Sequence, residues 1–249
     1  MNEATNTPPL FYKTVVPFNK QTHGDLALPA EAPDYFFAAK TDIIPVLSGE
    51  VPHALQHYPL IFIKDGTTAS AAPTLAALVG MGDGKNQFID EHGQWRIDSY
   101  IPAWVRRYPF LLARNDSEQN NSLLAFDPEA TIFTALGDKQ RLVEKDGEPS
   151  ARLQQIMEFQ KEFEAIALAT QKMVQDLHDA KVLEEGTLTI KSPQSEETRN
   201  VQGFLMVNEN KLRELPAAET EKLQKSGAMG LAYAQIFSMV NLRRLNIGA

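Results

Sequence analysis

The sequence predicts an α+β fold, a mixed or antiparallel sheet from the N-terminal half covered by helices from the C-terminal half. Two observations carry this prediction. Up to Pro149 the chain is rich in Pro and Gly and broken into short apolar runs, the pattern of strands and turns. Beyond it, Leu153, Ile156, Phe163, Ile166, Met173, Val174 and Leu177 recur at the spacing of one helical face. No internal repeat is visible. A chain of 249 residues can bury a substantial core, so a single domain over residues 1–249 is expected. Its strand-rich part spans 10–148 and its helix-rich part 149–249, with residues 1–9 flexible.

The elements follow in order. Leu60 to Ile63, four bulky residues after Tyr58 and Pro59, read as a buried strand that stops at Lys64, Asp65 and Gly66. Asn86–Asp90 and Gln94–Ile97 read as a hairpin, with Gly93 supplying the positive φ of its turn. Phe110–Ala113 and Ser122–Phe126 form a second pair, joined by the polar loop Arg114–Asn121. Ser150 is placed to cap a helix running to about Lys181, with Glu158, Lys161, Glu162, Glu164 and Lys172 mainly in solvent. That helix is expected to cover one side of the preceding sheet. Thr187–Ile190 and Val201–Val207 read as a returning strand pair. Two helices close the chain: Pro216–Lys225, stopped at Gly227, and Ala228–Leu245, ending where Arg243 and Arg244 favour the helix dipole.

Composition excludes several function classes. There is no cysteine, hence no disulfide, thiolate catalysis or Cys-ligated metal. The formal charge of −8 argues against a nucleic-acid or anionic-lipid partner. Residues 1–9 lack the basic and apolar regions of a secretory signal, so a cytoplasmic location is expected. The sequons at Asn115 and Asn120 then read as loop composition. Met229–Leu242, the most membrane-like stretch, is interrupted by Gln235, Ser238 and Asn241 and is too short to span, so no membrane insertion is expected.

Several segments carry a family resemblance: His23 within His-Gly-Asp-Leu-Ala-Leu, Tyr58–Phe62, and above all Trp95 followed by the block Tyr100–Phe110. Leu142–Glu148, Gly203–Leu212 and Ser226–Leu242 extend it over nearly the whole chain. In these residues the sequence resembles the SapC family of bacterial proteins, named for an S-layer-associated gene. The resemblance implies a protein encoded beside TonB-dependent receptors, tryptophan-halogenase-like and cupin-like proteins, with no settled reaction. A peptide-transporter permease shares the name, but a permease needs several apolar spans and this sequence has none.

The candidate ligand-binding residues are His23, Trp95, Tyr100, Trp104, Arg106, Arg107 and Tyr108. Arginine beside aromatics suits an anion or carboxylate site, because guanidinium makes bidentate bonds and stacks on rings. The alternative is structural, with Trp104 and Tyr108 as core anchors and the arginines paired to local carboxylates. Pro102 suits the start of a short helix before the strand at Pro109–Leu112. His23 and Asp25 fit half of a non-haem iron triad, with His92 or His178 as formal second ligands; otherwise they are loop residues. Glu50, His53 and His57 would share a face of a helix, as metal ligands or as a solvated surface. Gly80, Gly82 and Gly84 with Lys85 suggest a phosphate loop, but Val79 and Asn86 break the P-loop pattern, leaving a flexible turn. No Gly-x-Ser-x-Gly elbow occurs. The stripe Leu231, Tyr233, Ala234, Phe237, Val240 and Leu242 reads as core rather than a partner groove. No cofactor or metal is assigned.

The expected function is therefore a soluble accessory or ligand-binding protein, tied to nutrient uptake or surface assembly. Its ligand would be a small molecule or peptide, with a protein partner in that system. The alternative is an enzyme modifying a small molecule or peptide, metal-dependent through His23 and Asp25. On the binding reading, replacing Arg106 and Arg107 together by alanine weakens binding and leaves thermal unfolding nearly unchanged.

Overall fold

The computed structural model describes residues 8–29, 34–64, 73–114, 122–133, 140–191 and 198–245. Residues 1–7 of the expected flexible N-terminus, residues 115–121 of the expected polar loop, and with them both sequon asparagines, Asn115 and Asn120, lie outside those residues. In chain order the elements are β1 (Val16–Pro17), β2 (Ala27–Leu28), β3 (Ile43–Pro45), α1 (Val51–Ala54), β4 (Leu60–Ile63), β5 (Thr74–Leu78), α2 (Ala103–Arg106), β6 (Phe110–Arg114), β7 (Ser122–Phe126) and β8 (Gln140–Arg141). There follow α3 (Ala151–Asp179), β9 (Leu183–Lys191), β10 (Thr198–Val207), α4 (Glu209–Arg213), α5 (Ala217–Ser226) and α6 (Ala228–Ser238). The α+β class is as the sequence predicts, and every strand pairing described is antiparallel.

The chain divides into two compact units, Met1–Phe37 with Arg106–Glu164, and Ala38–Val105 with Ala165–Ala249. The boundaries fall inside packed or helical segments, the last within α3, so no Pro/Gly/Ser-rich linker marks them in the sequence.

The first unit holds the sheet β1-β7-β6 and the pair β2-β8. Its apolar cluster joins Phe110, Phe126, Leu142 and Val143 to Leu153 from the first turn of α3. That turn starts as predicted: the Ser150 hydroxyl accepts from Leu153 N at 3.2 Å and donates to Arg141 O at 2.7 Å.

The second unit is built on the sheet β3-β5-β4-β10-β9. Leu60, Ile61 and Phe62 are fully buried, as the apolar run predicts. Beside β4 lies β5, which the sequence does not announce: its Leu and Ala residues favour helix, and burial between two strands overrides that preference. Pro45 is tolerated because β3 is an edge strand. The other edge is β9, paired with β10 through a register shift between Val201 and Phe204, where Gly203 takes a φ of +90°. These two longest strands come from the helix-rich half, so the sheet is not confined to the N-terminal half. The predicted hairpin at 86–97 is reduced to a single bridge, Ile89 to Trp95, around Gly93 at φ +75°.

Helix α6 lies on β4 and β10, and its polar residues explain how. Gln235, fully buried, accepts from Val207 N at 3.0 Å and donates to Leu60 O at 3.1 Å. Ser238, also fully buried, accepts from Leu60 N at 2.8 Å. Asn241 donates to Leu55 O at 2.6 Å. Gln235 and Ser238 thus satisfy backbone groups where the β4–β10 ladder stops, and Asn241 satisfies a carbonyl at the end of α1. The helix ends at Ser238 and tightens into a 3₁₀ segment, Met239–Arg244, rather than running on to Leu245. No described helix is long and apolar enough to cross a membrane.

Candidate functional site

The predicted residues fall into two groups, one in each unit. In the first unit, Arg106 closes α2 and Arg107 and Tyr108 follow it before β6, and their side chains diverge. Arg107 turns inward: it is 6% exposed, its guanidinium lies 4.1 Å from the Phe163 ring centroid, and it sits 3.8 Å from the Glu164 carboxylate. A further hydrogen bond joins it to Tyr12, whose hydroxyl donates to Phe110 O at 2.7 Å. Burial raises the Tyr12 hydroxyl well above its ordinary value, and Arg107 opposes that rise.

Tyr108 is half-buried, stacked on Phe37 at 4.2 Å and edge-on to Tyr12 at 5.2 Å. Its hydroxyl is pushed up to about 12 by burial and by its hydrogen bond with Asp127. Asp127 is fully buried and accepts from the backbone N–H groups of Lys13 at 2.8 Å and Glu129 at 3.0 Å. Arg106 turns outward, with its guanidinium 5.4 Å from the Phe159 ring centroid. Tyr35 feels that charge: burial raises its hydroxyl and Arg106 pulls it back. An exposed guanidinium backed by a ring is competent to receive a carboxylate. Tyr35, Phe37 and Phe159 were not singled out by sequence, because they lie far along the chain from Arg106 and Tyr108 and only folding brings them to that stretch.

His23 belongs to the same unit but serves the loop. Its Nδ1 accepts from Asn19 N at 3.0 Å, which fixes the proton of the neutral ring on Nε2, and its ring meets Phe126 edge-on at 4.9 Å. Among the described residues no group of three His, Asp or Glu side chains is placed to hold a metal.

In the second unit, Trp95 is 7% exposed and donates from Nε1 to the Tyr58 hydroxyl at 3.0 Å, which donates in turn to Tyr100 O. Burial holds the Tyr58 hydroxyl far above its ordinary value. The Tyr100 hydroxyl donates to Glu50 at 2.9 Å, and the same carboxylate accepts from Ala103 N at 2.7 Å and Leu47 N at 2.8 Å. Glu50 is 5% exposed, so it ties the 47–50 turn to the start of α2 and is not presented outward with His53 and His57. His53 stacks on Tyr100 and His57 faces Arg244. Trp104 is half-buried.

The glycine-rich turn has its own anion. Asp42 accepts from Gly82 N and Gly84 N at 2.8 Å each and from Asp83 N at 3.2 Å, filling the cradle that a phosphate would occupy. Arg244, expected at a helix end to favour its dipole, instead pairs with Asp98 at 2.8 Å and Ser99 at 3.1 Å.

No curated protein and no solved structure matches the chain. The SapC family model matches residues 18–245, a span that holds all seven predicted site residues and every described strand except β1, and the chain therefore belongs to the SapC family.

Proposed function

We propose that this SapC-family protein is a soluble, cytoplasmic accessory or ligand-binding protein serving nutrient uptake or cell-surface assembly. Its ligand is a small molecule or peptide bearing a carboxylate, taken at the Arg106 surface of the first unit. The supporting observation is the contrast between neighbouring arginines: Arg107 is buried against Phe163, while Arg106 stands exposed over Phe159. A guanidinium held on a ring loses less freedom when it binds than a free side chain does.

The test is calorimetric titration with N-acetylphenylalanine, an aromatic carboxylate, and in parallel with inorganic phosphate. The carboxylate is expected to bind the wild-type chain. Arg106→Gln is expected to weaken it at least about tenfold, the scale of one charge-assisted hydrogen bond. Absence of binding to the wild type, or equal binding to Arg106→Gln, overturns the reading. A preference for phosphate over the carboxylate overturns the assignment of ligand class.

A further inference from the structure

The stripe that the sequence reads as core splits along its length: Leu231 and Ala234 are buried, while Phe237 is 65% exposed and Val240 57%. Val240 therefore lends little apolar grip to the 3₁₀ segment Met239–Arg244. Leu245 is buried just past the segment's end, and two polar side chains fasten the segment itself. Asn241 donates to Leu55 O at 2.6 Å, at the exit of α1. Arg244 donates from Nη2 to the Asp98 carboxylate at 2.8 Å, the Ser99 hydroxyl at 3.1 Å and Asp98 O at 3.3 Å. The first fastening is neutral and indifferent to pH, and the second is ionic.

A histidine sits against the ionic one. Arg244 Nη1 lies 3.5 Å from His57 Nδ1. A guanidinium only donates, so this contact is favourable only while Nδ1 carries no proton. His57 is half-buried, which leaves its ring within reach of protons from solvent. The groups that face it are Arg244 from the 3₁₀ segment, Asp98 from the turn before Ser99, and His53 from α1. Arg96 draws on the same Asp98 carboxylate from 3.5 Å. With His57 neutral, two guanidinium groups share one carboxylate; protonation adds a third cation beside Arg244. Asp98 is exposed, so water screens its charge and it compensates the added cation poorly. Arg244 Nε is buried with no acceptor among the described residues, so the guanidinium has no reserve contact on that side. Arg244 also helps burial to hold His57 below its ordinary value, and the coupling is reciprocal: a protonated His57 opposes Arg244 as much as Arg244 opposes the proton.

We propose that His57 is an acid-triggered release for the C-terminal 3₁₀ segment: neutral, it lets Arg244 close onto Asp98 and Ser99, and protonated, it drives Arg244 off, loosening the segment beyond Asn241. The docked segment goes with the neutral ring, so acidification undocks it.

Because the chain has no cysteine, single nitroxide labels test this by electron spin resonance. One is placed at Arg243→Cys, exposed on the segment, and a control at Gln224→Cys, exposed on α5. As pH falls, the Arg243→Cys label is expected to become mobile with the midpoint at which His57 titrates by NMR in the same protein, while the control label keeps its spectrum. The ratio of docked to undocked segment is expected to drop at least about tenfold, the scale of one charge-assisted hydrogen bond. His57→Gln, neutral at every pH, is expected to keep the segment docked in acid, and Arg244→Gln to leave it mobile already at neutral pH. A label that stays immobile once His57 is protonated, both labels loosening together, or a His57→Gln chain that releases at the wild-type midpoint overturns the proposal.

Discussion

Replacing Gln235 by leucine keeps most of the side chain's volume and removes both of its polar ends at a fully buried position. Val207 N then loses the acceptor at 3.0 Å and Leu60 O loses the donor at 3.1 Å. Each buried group left without a partner costs roughly 1–3 kcal/mol, and the conserved volume keeps the cavity contribution small. The sum is about 3 kcal/mol, or roughly 6–12 °C in melting temperature for a chain of this length. Urea unfolding followed by circular dichroism measures the total. Amide exchange locates it: protection at Val207 is expected to fall, while Leu205, inside the ladder, keeps its own. A Gln235→Leu variant within about 0.5 kcal/mol of wild type, with Val207 still protected, would refute the reasoning, because a neutral result means the bridge is replaceable.

The two arginines separate stability from binding. Arg107→Ala removes a buried guanidinium from Phe163 and Glu164 and is expected to destabilise by about 1–3 kcal/mol, whereas Arg106→Ala stays within about 0.5 kcal/mol; equal melting temperatures for the two would contradict the assignment. The double alanine change is therefore expected to lower stability through Arg107, where the binding reading from sequence expects thermal unfolding nearly unchanged. His57 is held below its ordinary value by burial first and then by Arg244. Its contribution to stability is thus present above the unfolded value, ~6.5, and is lost as pH falls through the lower folded value. Arg244→Gln is expected to raise the His57 titration midpoint measured by NMR, and an unchanged or lower midpoint would show that Arg244 does not act on it.

Local chemistry made parts of this molecule legible in the sequence. Period and capping residue placed α3 within a residue or two, because Ser150 supplies an acceptor to the first turn and the apolar face repeats along its length. β4, β6 with β7, β9 with β10, and the stop at Gly227 were equally readable, since each rests on neighbours in the chain. The Tyr100–Phe110 block and its companions were enough to identify the family. Tertiary structure decided the rest. β5 became a strand only because burial between β3 and β4 outweighs the helix preference of its Leu and Ala residues. The division into two units could not be read because each unit is assembled from two separate stretches of chain. Within the candidate site, the sequence determined that two arginines stand side by side, and only folding determined that Phe163 buries one while Phe159 supports the other in the open. The exposed edge of α6 has the same origin: periodicity shows which residues share a helical face, but accessibility depends on what packs against that face, and this is a property of distant residues.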